Sequence, residues 1–234
     1  MGNQFAARLT ELLGLRHPPI AVNFHERVPQ SPPRFAAPLS EPTADGRTGR
    51  VPASCVFWIE AEMAGFLTVP EDHGNCSVGR YVHGLAEAEE IIDKADLATL
   101  LDTGWVTMDA FAGVARREGR AAAIEYSPLD QAAGEPEVVL MRLQPRQMMQ
   151  VADALPGISL SGKPQCQVVA LAAAGKAVMS MGCALSRART GMGEEEMTFA
   201  LPGNALAELV AGLEKVCAAD SAVSEDGASN ARRF

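Results

Sequence analysis

The sequence predicts an α+β domain with a mixed or antiparallel sheet and packed helices. Three observations carry this reading. Apolar residues recur at helical spacing near both ends of the chain. Short apolar runs between turn signals mark strands in both halves. These strands do not alternate strictly with helices, as a doubly wound parallel sheet requires.

Residues 4–14 place Phe5, Leu9, Leu12 and Leu13 on one helical face, and Pro18-Pro19 ends that helix. Ile20 to Phe24 reads as a strand. Six prolines from Pro29 to Pro52 mark a long loop, the usual form of a lid. Ser54 is placed to N-cap a helix from Cys55 to about Met63, with Gly65 as its stop. Phe66 to Val69 follows as a strand. Ala86 to Leu101 reads as one helix that buries Ile91, Ile92, Leu97 and Leu100.

Ala121 to Tyr126 and Val138 to Leu143 are strands, the second buried by its apolar run. Pro145 suits the first turn of a helix carrying Met148, Met149, Val151 and Leu155. Gln167 to Ala172 and Lys176 to Met181 read as two strands, with a helix left open as the alternative. Met197 to Leu201 is a further strand, and Pro202-Gly203-Asn204 leads into a last helix ending near Val216. Residues 1–217 then form one domain and 218–234 a disordered tail.

Hydrophobic residues make up 47% and charged residues 21%, a globular composition. Twenty Lys+Arg against 29 Asp+Glu leave a net charge of −9, which argues against a general nucleic-acid binder. The longest apolar run, Val168 to Ala174, is far short of a bilayer span. The N-terminus has no apolar signal core. The expected location is the cytoplasm, with no membrane and no nucleic acid as partner.

Cysteines stand at positions 55, 76, 166, 183 and 217. An odd number in a reducing compartment argues against a disulfide framework, and no C-x-x-C occurs. Cys55 and Cys76 are 21 residues apart, Cys166 and Cys183 are 17 apart, and both Cys76 and Cys183 are followed four residues later by an arginine. A degenerate duplication would bring two such pairs to one centre. The flanking residues do not match, so on sequence alone coincidence is the preferred reading.

Gly157 to Lys163 fits the first seven positions of a phosphate-binding loop, but Pro164 replaces the magnesium-binding hydroxyl, so the stretch reads as a turn. No metalloprotease histidine pair and no G-x-S-x-G elbow occurs. His73 and His83 flank Cys76. His73 is a candidate ligand or proton donor, and His83 reads as a partly exposed loop residue. Cys55, in the first turn of its expected helix, is also a candidate nucleophile. From Cys183 to Gly193, Arg187 and Arg189 follow the cysteine between small residues. They suit an anion-binding loop, or a surface turn paired with Glu194, Glu195 and Glu196. The ten methionines read as core filler.

Several stretches together resemble the bacterial and archaeal family called domain of unknown function 169. They are Leu13 to Val22, Cys55 with Gly65, Asn75 to Gly79, Val138 to Pro145, Gly182-Cys183 with Arg187, and Pro202-Gly203. Their order carries the resemblance, from about residue 10 to residue 215. The resemblance implies that Cys55, Cys76 and Cys183 are recurring cysteines, while Cys166 and Cys217 look particular to this chain. It implies a pattern and no reaction.

Three well-separated thiolates can hold a cubane iron–sulfur cluster and leave one iron open. On this expectation Cys55, Cys76 and Cys183 are metal ligands and His73 is a further ligand or acid. Arg80, Arg187 and Arg189 anchor a small anionic substrate for Lewis-acid chemistry. Zinc is the alternative metal. Two other classes stay open: a non-catalytic ligand-binding or sensing module with structural cysteines, and a metal-free enzyme with Cys55 as nucleophile.

Overall fold

The computed structural model describes residues 2–36 and 52–229. Most of the proline-rich stretch 29–52 lies outside these residues. The chain opens with α1 (Gly2–Leu13) and β1 (Ile20–His25), then α2 (Ser54–Glu60), β2 (Phe66–Thr68) and α3 (Ser77–Val82). Two further helices, α4 (Ala95–Asp102) and α5 (Met108–Ala112), precede β3 (Ala123–Pro128). The second half runs β4 (Val138–Leu143), α6 (Pro145–Ala154), β5 (Ser159–Ser161), α7 (Gln167–Ala173), β6 (Val178–Ser180), α8 (Ala184–Thr190), β7 (Met197–Pro202) and α9 (Leu206–Ser229).

The strands form one mixed sheet in the order β2-β3-β1-β4-β7-β6-β5, parallel at β5–β6 and antiparallel elsewhere. This is the expected α+β fold. Side chains alternate between its faces with period two. Ile20, Val22 and Phe24 of β1 face a core shared with α2, α3 and α7. Ala21 of β1, with Val139 and Met141 of β4, faces a core shared with α1, α6 and α9. Because helices cover both faces, the central strands carry near-continuous apolar runs.

With α4 and α5 set aside in the first half and α6 and β5 in the second, the halves share one order of elements: strand, cysteine-led helix, strand, cysteine-led helix, strand. In the first half these are β1, α2 with Cys55, β2, α3 behind Cys76, and β3. In the second they are β4, α7 behind Cys166, β6, α8 behind Cys183, and β7. The sheet matches. Outward from the antiparallel β1–β4 junction come β3 and β2 on one side, β7 and β6 on the other. The cysteine echo in the sequence therefore falls on a structural repeat, which corrects its reading as coincidence.

Other expectations differ in detail. Ala86 to Leu101 is not one helix: a short turn at Ala88–Glu90 gives way to an extended Lys94 before α4 begins. Ile91 is buried but its neighbour Ile92 is exposed, so the apolar residues do not share one helical stripe. Gln167 to Ala172 is helical, the alternative left open. With Val168, Val169, Ala170 and Ala172 all buried, periodicity cannot separate strand from helix there. Positions 218–229, expected as disordered tail, continue α9.

Candidate functional site

Four cysteines from distant parts of the chain line one cavity between the two halves. Cys55, Cys76, Cys166 and Cys183 share its wall with Ser54 and Arg189, and the cavity is small, about 30 Å³. Val78, Leu100, Trp105 and Leu185 make the rest of the wall largely apolar. Each cysteine stands at the start of a short helix. Cys55 is the second residue of α2, and Cys76, Cys166 and Cys183 immediately precede α3, α7 and α8.

Local bonds hold these helix starts. Ser54 does not cap α2 as expected; Ala53 takes that position without a side-chain bond. The Ser54 hydroxyl instead meets His73 Nδ1 at 3.0 Å, and His73 Nε2 meets the Thr68 hydroxyl of β2 at 2.9 Å. Asp96 of α4 accepts from the Ser77 amide at 2.7 Å and from its hydroxyl at 2.6 Å, which fixes the start of α3. Cys183 and Ser186 cap each other at α8. A methyl group on Gly79 would come within 3.2 Å of Cys76 Sγ and 3.1 Å of Ser54 Oγ, so the Cys76 sulfur rests against that glycine.

Burial disfavours the thiolate at Cys55, Cys76 and Cys166. Burial pushes Cys55 up to about 12, and Cys76 and Cys183 nearby add to this while Arg189 pulls the other way. Burial also raises Cys76, again opposed by Arg189, and it drives Cys166 well above the ordinary thiol range. A thiol held at about 12 carries almost no thiolate at neutral pH, which works against Cys55 as a free nucleophile.

The donor set is soft and suits iron or zinc. Among the described residues, however, no three His, Cys, Asp or Glu side chains gather closely enough to hold a single ion. One ion draws its sulfurs to about 2.3 Å from a common point. A cluster binds each sulfur through a different iron and needs its ligands spread around a void. Four thiols lining one cavity match such a cluster in donor type.

The remaining expected site residues lie apart from the cavity wall. His73 and His83 are both completely buried, which corrects the reading of His83 as partly exposed. His73 spends both ring nitrogens on Ser54 and Thr68. Arg187 closes the loop around α8: its guanidinium donates to the carbonyls of Met181, Gly193 and Glu196. Arg80 is half-buried on α3, with Nε lacking a partner among the described residues. Of the three arginines, Arg189 lines the cavity. Cys217 sits on the opposite face of the sheet, its thiol donating to the Leu12 carbonyl at 3.5 Å.

Sequence reasoning missed two features. Cys166 belongs to the cavity, and the paired cysteine spacing was its signal. The second feature is a closed ring of charges beside a smaller cavity that shares Cys55. Arg142 donates to Glu62 at 2.9 Å and to Glu196 at 2.6 Å, while His17 meets Glu62 at 2.9 Å and Glu196 at 3.3 Å. Residues 17, 62, 142 and 196 lie too far apart in sequence for any spacing rule to join them.

Compared with the curated proteins and with the solved structures, the chain has no significant match. The family profile of domain of unknown function 169, described as "Uncharacterised ArCR", matches residues 8–212. That span includes both halves of the repeat and all four cavity cysteines, and the chain belongs to this family.

Proposed function

We propose that the protein is a cytoplasmic iron–sulfur protein whose cluster sits in the four-cysteine cavity and acts on a small anion. The observation that supports this most is the meeting of cysteines 55, 76 and 183 on one cavity wall. When bound, such a cluster with one iron free of cysteine supplies a Lewis acid for dehydration or sulfur removal.

The protein residues divide the remaining work. Cys55, Cys76 and Cys183 act as thiolate ligands after losing their protons, because metal binding releases protons from its ligands. Arg189 presents a planar cationic fork at the cavity and orients a carboxylate or similar group. The apolar wall keeps bulk water away and strengthens that charge contact. Within the described residues no helix is long and apolar enough to cross a membrane.

A second reading has support in the wall itself, which is mostly apolar and in which burial disfavours the thiolate at Cys55, Cys76 and Cys166. On that reading the cavity binds a small ligand without metal. Anaerobic purification separates the two. The cluster reading expects a brown protein with iron and acid-labile sulfide in near-equal amounts. A colourless protein that takes up neither on reconstitution, with or without zinc, contradicts it.

A further inference from the structure

We infer that the α4–α5 segment is a gate on the four-cysteine cavity, with Trp105 as its latch, and that it swings outward to admit whatever the cavity binds. This rests on that cavity being the functional site, as proposed above. The argument starts from size. The cavity measures about 30 Å³. One water needs roughly 10–15 Å³, so the space holds about two waters and no cluster or organic ligand. The wall has to move before the site is loaded.

Burial locates the mouth. Ser54, Cys55, Val78, Pro164, Gln165, Cys166 and Ser186 are buried and form the floor. Leu100 and Trp105 on one side are half-buried, as are Leu185 and Arg189 of α8 on the other. The α8 side is pinned. Arg187 donates to the carbonyls of Met181, Gly193 and Glu196, Cys183 and Ser186 cap each other, and Arg189 is hydrogen-bonded to Cys76.

The other side is lightly held. Across positions 95–112 only Leu97, Val106 and Phe111 are buried. Among the described residues, the side-chain hydrogen bonds from this segment to other elements are those of Asp96 to Ser77. Few buried apolar residues and few outside bonds give a segment a low cost of local opening. Asp96, at the start of α4, is placed as the pivot. Gly104, with φ at +69°, turns the chain at the end of α4 and leads into Trp105 at the mouth. The Lys163 ammonium lies 4.8 Å from the Trp105 ring centroid and holds the gate shut from the α7 side.

The test uses the metal-free full chain. Hydrogen exchange read by mass spectrometry compares positions 95–112 with α7, whose Val168, Val169, Ala170 and Ala172 are buried. N-ethylmaleimide with peptide mapping reads access to Cys166 on the floor. Amides of 95–112 should exchange on the order of tenfold faster than those of α7. Trp105→Ala should speed alkylation of Cys166 on the order of tenfold, and Lys163→Met about threefold. Trp105→Phe keeps a ring beneath Lys163 and should stay within about twofold of wild type. Urea midpoints close to wild type show that access is gained without global unfolding. If Trp105→Ala does not fold, Lys163→Met, altered at an exposed residue, and the exchange pattern decide. Exchange in 95–112 as slow as in α7, or equal Cys166 rates in wild type and Lys163→Met, overturns the gate. Iron and sulfide uptake on anaerobic reconstitution should quicken in the same order as Cys166 access. A wild-type chain that takes up neither removes the cluster reading, while the exchange and alkylation data still decide the gate.

Discussion

Cys183 and Ser186 cap one another: the Cys183 amide donates to Ser186 Oγ at 2.9 Å, and the Ser186 amide donates to Cys183 Sγ at 3.4 Å. The pair fixes where the sulfur stands at the mouth of α8. Ser186→Ala removes one half of it. The expected result is a loss of about 1 kcal/mol in denaturant stability, the usual worth of a cap, together with lower iron content after reconstitution. Unchanged stability and loading would separate this cap from the site.

Arg187 and Arg189 lie two residues apart and have different tasks. Arg187 is bonded to three backbone carbonyls of its own loop. Arg187→Met strands those acceptors and should cost about 3 kcal/mol. Arg189→Met should change stability by less than about 0.5 kcal/mol. Its effect falls on the thiols: Arg189 opposes the burial that raises Cys55 and Cys76, so its loss slows alkylation of both. Mass spectrometry after timed iodoacetamide treatment reads this directly. Faster alkylation in the variant would reverse the assignment.

Acid should unfold the protein partly through His73 and His83. Both are completely buried, and burial lowers His83 to about 4 and His73 well below its ordinary value. The folded state disfavours the charged ring, so this stability is present above pH 6.5 and is lost as pH falls toward 4. For His83 it amounts to about 3 kcal/mol. His83→Phe, set between Phe24 and Trp58, should lose less stability than wild type between pH 7 and pH 4.5 in urea titrations. Equal losses in the two chains would contradict this.

The ring of His17, Glu62, Arg142 and Glu196 ties the turn after α2 to the sheet. Arg142→Met leaves two largely buried carboxylates without their shared cation and should cost about 3 kcal/mol. Adding Glu62→Gln to that variant should recover part of the loss, since one stranded charge is gone. A double variant no more stable than the single one would show that the charges are solvated elsewhere.

Much of the fold is legible in the sequence where periodicity is unambiguous. Leu9 and Leu13 announce α1, and the run from Val138 announces β4, because each pattern fits one period only. Reading fails where burial is all-round, as at Val168 and Val169, or where one long stretch has two apolar faces, as at Ile91 and Ile92. Three of the four cavity cysteines were marked by the family resemblance. Cys166 was visible in the echo of spacing, whose meaning lay in strand order around the β1–β4 junction. His73 looked like a ligand because it is three residues from Cys76, yet its nitrogens serve Ser54 and Thr68. Sequence distance says nothing about where a ring points.

The most direct test of the central claim is iron and acid-labile sulfide per chain after anaerobic reconstitution of wild type, Cys55→Ala, Cys76→Ala, Cys183→Ala and Cys217→Ala. Cys217 lies on the far face of the sheet and serves as the control. The account predicts iron and sulfide in near-equal amounts in wild type and Cys217→Ala, and their loss in each of the other three variants. Iron that survives in Cys55→Ala, Cys76→Ala and Cys183→Ala, or that never binds wild type, would contradict it.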